Sequence, residues 1–148
     1  MHVTRDLDVA VPPEMLWAML WDVPRMVTCL PGCAEAREVE PHRRYAAKMT
    51  QRMGPITLSV PLDVTISNVV APSSLALEAK GRDPILGAHV AMTVTLDVTE
   101  RAGGSRLHVE AAGRILGKLG ALGHGMIQRK GEELIDEFGA RLRRVVEG

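Results

Sequence analysis

The stretch Ile56-Thr57-Leu58-Ser59-Val60-Pro61-Leu62-Asp63-Val64-Thr65-Ile66 decides the fold class. Every even position is Ile, Leu or Val, and every odd one is Thr, Ser, Pro or Asp. A period of two belongs to a β-strand with one face covered and the other wet, a condition that antiparallel sheets allow. Residues 88 to 98 repeat it, with Ala88, Val90, Met92, Val94, Leu96 and Val98 set against His89, Thr93, Thr95 and Asp97. Shorter strands fit residues 34 to 40, 43 to 53, 74 to 81 and 105 to 115. Turn-forming Pro41, Gly54-Pro55, Pro72-Ser73-Ser74, Asp83-Pro84 and Gly103-Gly104 punctuate them. Pro61 has no N–H to give to a neighbour, so the 56 to 66 strand is expected to bulge or to lie at an edge there.

On the N-terminal side, residues 3 to 11 place Val3, Leu7, Val9 and Val11 on one parity. Pro12-Pro13-Glu14 then opens a short helix that runs to about Asp22. A second helical turn from Pro24 to Cys29 is ended by Pro31-Gly32. On the C-terminal side, the period lengthens to near 3.6 from about Leu119 to Val146. Ile127, Gly131, Leu134, Ile135, Phe138, Leu142 and Val145 make one apolar stripe there. Arg129, Lys130, Glu133, Asp136, Glu137, Arg141 and Arg144 read as the solvated face of that helix. The pattern predicts an α+β fold in a single domain over residues 1–148. It has an antiparallel sheet of six or seven strands, two short helices after the first strand, and one long C-terminal helix.

A chain of 148 residues is long enough for one such domain to bury its own core. Aromatic residues are limited to Trp17, Trp21, Tyr45 and Phe138, so the core must be filled by aliphatic side chains and eight Met, which adapt to irregular contents. Eighteen basic residues balance eighteen acidic ones, which gives no global field to attract nucleic acid. The apolar runs fall well short of a bilayer span, and the N-terminus is polar rather than signal-like, so a cytoplasmic location is expected. Two cysteines make no secreted disulfide framework.

Val9-Ala10-Val11-Pro12-Pro13-Glu14-Met15-Leu16-Trp17, followed by Asp22 and by Cys29-Leu30-Pro31-Gly32-Cys33, resembles the opening of the START-related, Bet v 1-like (SRPBCC) superfamily. Within it the chain most resembles the CoxG family, named for the G subunit of carbon monoxide dehydrogenase. The run from Gly113 to Gly120 and the segment Glu132-Glu133-Leu134-Ile135-Asp136-Glu137-Phe138 agree with that branch. The resemblance spans the chain. It implies a helix-grip fold, a curved sheet wrapped around the C-terminal helix with a cavity between. It also implies binding of a quinone or lipid in service of a molybdenum hydroxylase that must meet the membrane. Longer members continue into a linker and a hydrophobic anchor, whereas the sequence ends at Gly148. The expectation is therefore a transient contact, peripheral at the inner membrane face.

Given such a cavity, strand parity assigns its wall. Leu58, Val60, Leu62, Val64, Met92, Val94 and Leu96 point inward from the two long strands. Tyr45, Ala47, Met49, Gln51 and Met53 do so from the 43 to 53 strand. Leu75, Leu77, Ala79, Leu107, Val109 and Ala111 complete the set. Gln51 is the polar exception. A buried amide without a partner costs about 1–3 kcal/mol, so Gln51 should meet a backbone group or a water, or else a polar ligand atom. Arg5 shares the inward parity of its strand but is expected to snorkel outward. Trp17 and Trp21, four apart, share a helix face. Trp17 matches the core position of the family. Trp21, with Met26 and Leu30, is read as an apolar lip over the cavity mouth or as packing beneath the Pro31-Gly32 turn. The expected ligand-binding set is Trp21, Met26, Leu30, Met49, Gln51, Met53, Leu62, Leu77, Met92, Ile127, Leu134 and Phe138.

Cys29 and Cys33 lack the second ligand pair that a zinc site needs, so no metal is expected and both thiols should be reduced. His2, His42, His89, His108 and His124 are scattered, with His89 and His108 on outward parity. The run from Gly117 to Gly125 has neither phosphate-loop spacing, and its glycines are read as a pliant gate beside the cavity. The leading expectation is a non-catalytic carrier or adaptor with no cofactor of its own beyond a bound quinone or lipid. An aromatase/cyclase-type enzyme is the alternative. Acid–base chemistry needs a titratable group in the cavity, and only loop residues such as Asp83 remain as candidates. A third reading is an interaction module whose cavity is filled by its own Met side chains.

Overall fold

The computed structural model describes residues 1–117 and 123–148, the side chain of His124 excepted. The chain begins with β1 (His2–Val9), α1 (Pro13–Trp21) and α2 (Val23–Val27). Six strands follow: β2 (Cys33–Glu40), β3 (Arg44–Met53), β4 (Ile56–Val70), β5 (Ser74–Asp83), β6 (Ala88–Arg101) and β7 (Gly104–Leu116). The chain closes on α3 (His124–Glu147). The strands form one antiparallel sheet in the order β1-β7-β6-β5-β4-β3-β2. Six hairpin-linked strands thus form a meander, and β1 returns beside the last of them through the register Val3↔Ala111 and Leu7↔Leu107.

The alternation sets the packing directly. Tyr45, Ala47, Met49, Gln51 and Met53 of β3 are buried, as are Leu58, Val60, Leu62 and Val64 of β4. Leu75, Leu77 and Ala79 of β5 and Leu107, Val109 and Ala111 of β7 lie on the same covered face. The helix α3 lies across this face and buries Gly131, Ile135, Phe138 and Leu142, spaced four, three and four apart. The stripe then continues to Val146, which packs on the core, and Val145 is exposed. Val145 was expected in the stripe, but three residues from Leu142 turn the helix 300°, short of the full turn that four residues slightly exceed. The start of this helix expected at Leu119 falls outside the described residues as far as Leu122.

β4 and β6 run past the alternating stretches, to Val70 and Arg101. The extension of β4 has left the core: Asn68, Val69 and Val70 are all exposed, so nothing imposes a two-residue period on them. β4 lies inside the sheet rather than at an edge, and Pro61 is accommodated in another way. Pairing with β3 runs through Lys48↔Pro61, whereas pairing with β5 starts only at Leu62↔Gly81. Pro61 thus stands where the β4–β5 ladder ends. Beyond it, Asp83 Oδ2 accepts the Ser59 N–H at 3.1 Å in place of a strand carbonyl. The bulge on β4 falls instead between Ser67 and Val70, where Asn68 takes a positive φ of 50°. The edge strand β2 is exposed and charged, with irregular register around Glu35 and Val39, which blunts it against further pairing.

Candidate functional site

Between the covered face of the sheet and α3 lie two apolar chambers that share the side chains of Met1, Met92 and Leu134 and the backbone of Gly131. The larger has about 820 Å³ of space among its lining atoms, its solvent-open part included. The smaller has about 470 Å³ by the same measure.

The larger chamber is walled by Leu62, Leu77 and Met92 from the sheet and by Leu134 and Phe138 from α3. Met26 and Leu30 close it from α2 and the segment after it. Val64, Ala79, Val94, Leu96, Val109 and Ala111 also line it, whereas Tyr45, Ala47, Val60, Leu75 and Leu107, which parity also assigned to the wall, are packed in the core and line neither chamber. The smaller chamber is walled by Met49, Gln51, Met53, Met92, Ile127 and Leu134. Trp21 lines neither. Its indole is stacked between Trp17, at 5.8 Å, and His42, at 4.3 Å and 7° from parallel. The lip expected of Trp21 is therefore a surface stack against the β2–β3 turn, and Trp17 is half-buried in it rather than central in the core.

Gln51 is 6% exposed, and its Nε2 donates to the Pro31 carbonyl at 2.6 Å. The Thr50 N–H donates to the Gly32 carbonyl at 2.9 Å, so two consecutive residues of β3 hold the Pro31-Gly32 turn. Gly32 is required there: its φ is +82°, and a Cβ would collide with the Thr50 carbonyl and lie 2.7 Å from Gln51 Nε2. The turn fixes Leu30 and Cys33 against the larger chamber. Arg5 turns outward, as expected, to pair with Asp136 at 2.8 Å.

Met1, Val27, Cys33, Val90 and Ile115 also contribute to the walls and were not assigned to them from the sequence, and Lys130, read there as part of the solvated face of the last helix, lines the smaller chamber. Met1 is the informative one. Its thioether lies over Gly131, where a Cβ would overlap it, and its Cε lies 3.1 Å from where a Cβ of Gly113 would stand. Its carbonyl accepts the Gly113 N–H at 2.9 Å, so the chain start is clipped to β7 and its side chain forms part of the partition between the chambers. The signal in the sequence was the pair of glycines at inward positions, one on a strand and one on a helix. Such glycines leave space that some other side chain must fill.

Charge is nearly absent inside. Among the described residues Arg114 and Lys130 are the only charged side chains on either chamber wall, both on the smaller one. Asp83 lies outside both. Its Oδ1 accepts the N–H groups of Ile85 and Leu86 at 2.9 and 3.1 Å, and its Oδ2 takes that of Ser59, bonds that hold the carboxyl below its ordinary pKa. His108 meets Asp6, His2 meets Glu110, His42 stacks on Trp21, and His89 is exposed. Cys29 and Cys33 are buried free thiols, and burial raises both pKa values, that of Cys33 to about 11. Among the described residues no three His, Cys, Asp or Glu side chains are grouped to hold a metal ion. The run from Lys118 to Leu122, part of the expected pliant gate, lies outside the described residues.

A model of the CoxG family, described as the G subunit of carbon monoxide dehydrogenase, matches residues 6–147. The chain belongs to this CoxG family. The match covers all seven strands in whole or in part, all three helices and every residue of the chamber walls except Met1. Solved structures share the fold at low identity. A conserved protein from Geobacillus kaustophilus superposes with a TM-score of 0.86 at 17% identity, over 99% of this chain and 95% of that one. The protein TTHA0849 from Thermus thermophilus gives 0.73 at 12% identity, over 99% and 97%. Ara h 8.0201, a Bet v 1-like protein, gives 0.60 at 18% identity, over 99% and 97%. These likenesses fix the helix-grip fold of the CoxG chain. A search of curated proteins finds no match. No helix among the described residues is long and apolar enough to cross a membrane.

Proposed function

We propose that the protein is a non-catalytic carrier or adaptor that holds a quinone or lipid tail between its sheet and α3, on behalf of a carbon monoxide dehydrogenase-like molybdenum hydroxylase at the membrane. The observation that carries this reading is the pair of adjoining apolar chambers, with Gln51 as the one neutral polar side chain on their walls. The family supports a role beside a dehydrogenase. The driving force is burial: enclosing about 400 Å² of ligand apolar surface is worth about 10 kcal/mol at ~25 cal/mol/Å². Ordering and lost translation remove about 4 kcal/mol or more, leaving a dissociation constant of about tens of micromolar, which suits a load that must be released. Gln51 Nε2 keeps one N–H beyond its bond to Pro31, which can donate to a quinone carbonyl.

A cyclase-type enzyme needs an acid or base beside its substrate. The carboxylate that the sequence offered for this, Asp83, is committed to three backbone N–H groups. Mass spectrometry of an organic extract of the purified protein tests the proposal. A quinone or lipid in near-stoichiometric amount is expected, and an empty extract from protein that also takes up no added quinone would count against it.

A further inference from the structure

The linings of the two chambers succeed one another along each element that walls both. On α3 the smaller chamber takes Ile127 and Lys130, the larger takes Ile135 and Phe138, and Gly131 and Leu134 belong to both. On β6 the smaller takes Val90, the larger takes Val94 and Leu96, and Met92 belongs to both. The lining changes over between Gly113 and Ala111 on β7 and between Leu58 and Leu62 on β4. The chambers therefore stand end to end. At a rise of ~1.5 Å per residue, each follows α3 for about 10 Å and the pair for about 16 Å, from Ile127 to Phe138.

What separates them is made of side chains. Among the described residues, those common to both walls are Met1, Met92 and Leu134. The Met1 thioether lies over Gly131, and Met1 Cε and Met92 Cγ converge on Gly113, each 3.1 Å from where its Cβ would stand. The backbone beneath is pinned. Met1 N donates to the Gly113 carbonyl at 3.0 Å, and the Gln128 amide bonds both the N–H and the carbonyl of His2, at 3.0 and 2.8 Å. The thioether chains above it are unbranched, turn about three bonds and repack at little cost, whereas Val or Ile in their place would be stiff at χ1. Gly113 and Gly131 put no Cβ in their way.

We infer that Met1 and Met92 form a displaceable partition, which makes the two chambers one site for a single apolar chain and sets the length that the site prefers. A molecule shorter than about 10 Å fits one chamber with the partition in place, and a longer one turns the thioethers aside and gains the second chamber. The ligand class this selects is a long flexible tail, isoprenoid or alkyl, over a compact ring system of equal area. The inference rests on the carrier reading and adds to it the residues that decide chain length.

The test is a competition titration of the whole protein, in buffer free of vesicles, with naphthoquinones that carry one straight alkyl chain of increasing length and displace a fluorescent apolar dye. In the wild type, affinity should rise about fourfold with each methylene. The rise should continue past about 10 Å of molecular length and level off near about 16 Å. Gly131→Leu, which puts a branched side chain where the Met1 thioether lies, should bring the plateau back to about 10 Å. Its affinity for the longest probes should fall about a hundredfold or more, with the shortest nearly unaffected. Met92→Ala, which carries the test should Gly131→Leu fail to fold, should raise the ratio of long-probe to short-probe affinity. Gly139→Ala, whose Cβ would meet Leu7 at 3.6 Å away from both chambers, should keep the wild-type profile. A wild-type plateau near about 10 Å, a wild-type profile in folded Gly131→Leu protein, or an unchanged ratio in Met92→Ala overturns the inference and leaves the carrier reading standing. Failure of the folded wild type to bind a probe of any length overturns both.

Discussion

At the scale of single residues, the polar groups of the inner face are spent on architecture. Gln51 Nε2 and the Thr50 N–H tie down the turn that presents Leu30 and Cys33 to the larger chamber. Gln51→Met keeps the volume and leaves the Pro31 carbonyl without its partner. Unfolding free energy should fall by about 1–3 kcal/mol in urea titration, and affinity for a tail without a polar head should change little. Asp83 stabilises by accepting backbone N–H groups as an anion. Because its folded pKa lies below the ordinary carboxylate value, its contribution is complete above about pH 4 and is lost as pH falls through the lower folded value. Asp83→Ala should therefore lower the thermal midpoint clearly at neutral pH, with a gap to wild type that narrows in acid, and should leave quinone uptake intact. Loss of uptake in a folded Asp83→Ala protein would reopen the enzymatic reading. Cys33, with its pKa raised to about 11 by burial, should alkylate at pH 8 at least about a hundredfold slower than a free thiol. Stoichiometric zinc in untagged protein would contradict the assignment of both cysteines as free thiols.

At the scale of elements, legibility followed burial. The inner walls of β3, β4, β5 and β7 could be read residue by residue, because a sheet with one dry face imposes a strict period of two. Where β4 runs out of the core, at Asn68 to Val70, the period is lost and so was the strand's end. Trp21 was misplaced because a spacing of four says that Trp17 and Trp21 share a face. It says nothing of His42, which arrives from a turn 21 residues later to cover them. Met1 was missed because a single terminal side chain has no period, and only the gaps at Gly113 and Gly131 betray it. The α3 stripe makes a quantitative test. Leu142, fully buried, should cost about 2–5 kcal/mol on truncation to Ala, and Val145→Ser, on the exposed side, within about 0.5 kcal/mol of nothing.

At the scale of the whole molecule, the fold separates its tasks. The sheet and α3 hold two chambers with a largely apolar lining, and paired charges cluster on the outside around Asp8 and Asp63. The central claim is that the chambers take up an apolar ligand, and equilibrium titration with a quinone bearing a short isoprenoid tail tests it most directly. Wild-type protein should bind one equivalent. Met92→Asp, which puts a charge on the wall shared by both chambers, should bind none while still folded, and Thr93→Asp, on the exposed face of the same strand, should bind as the wild type does. Equal binding by Met92→Asp and wild type, or no binding by folded wild type, would contradict the account.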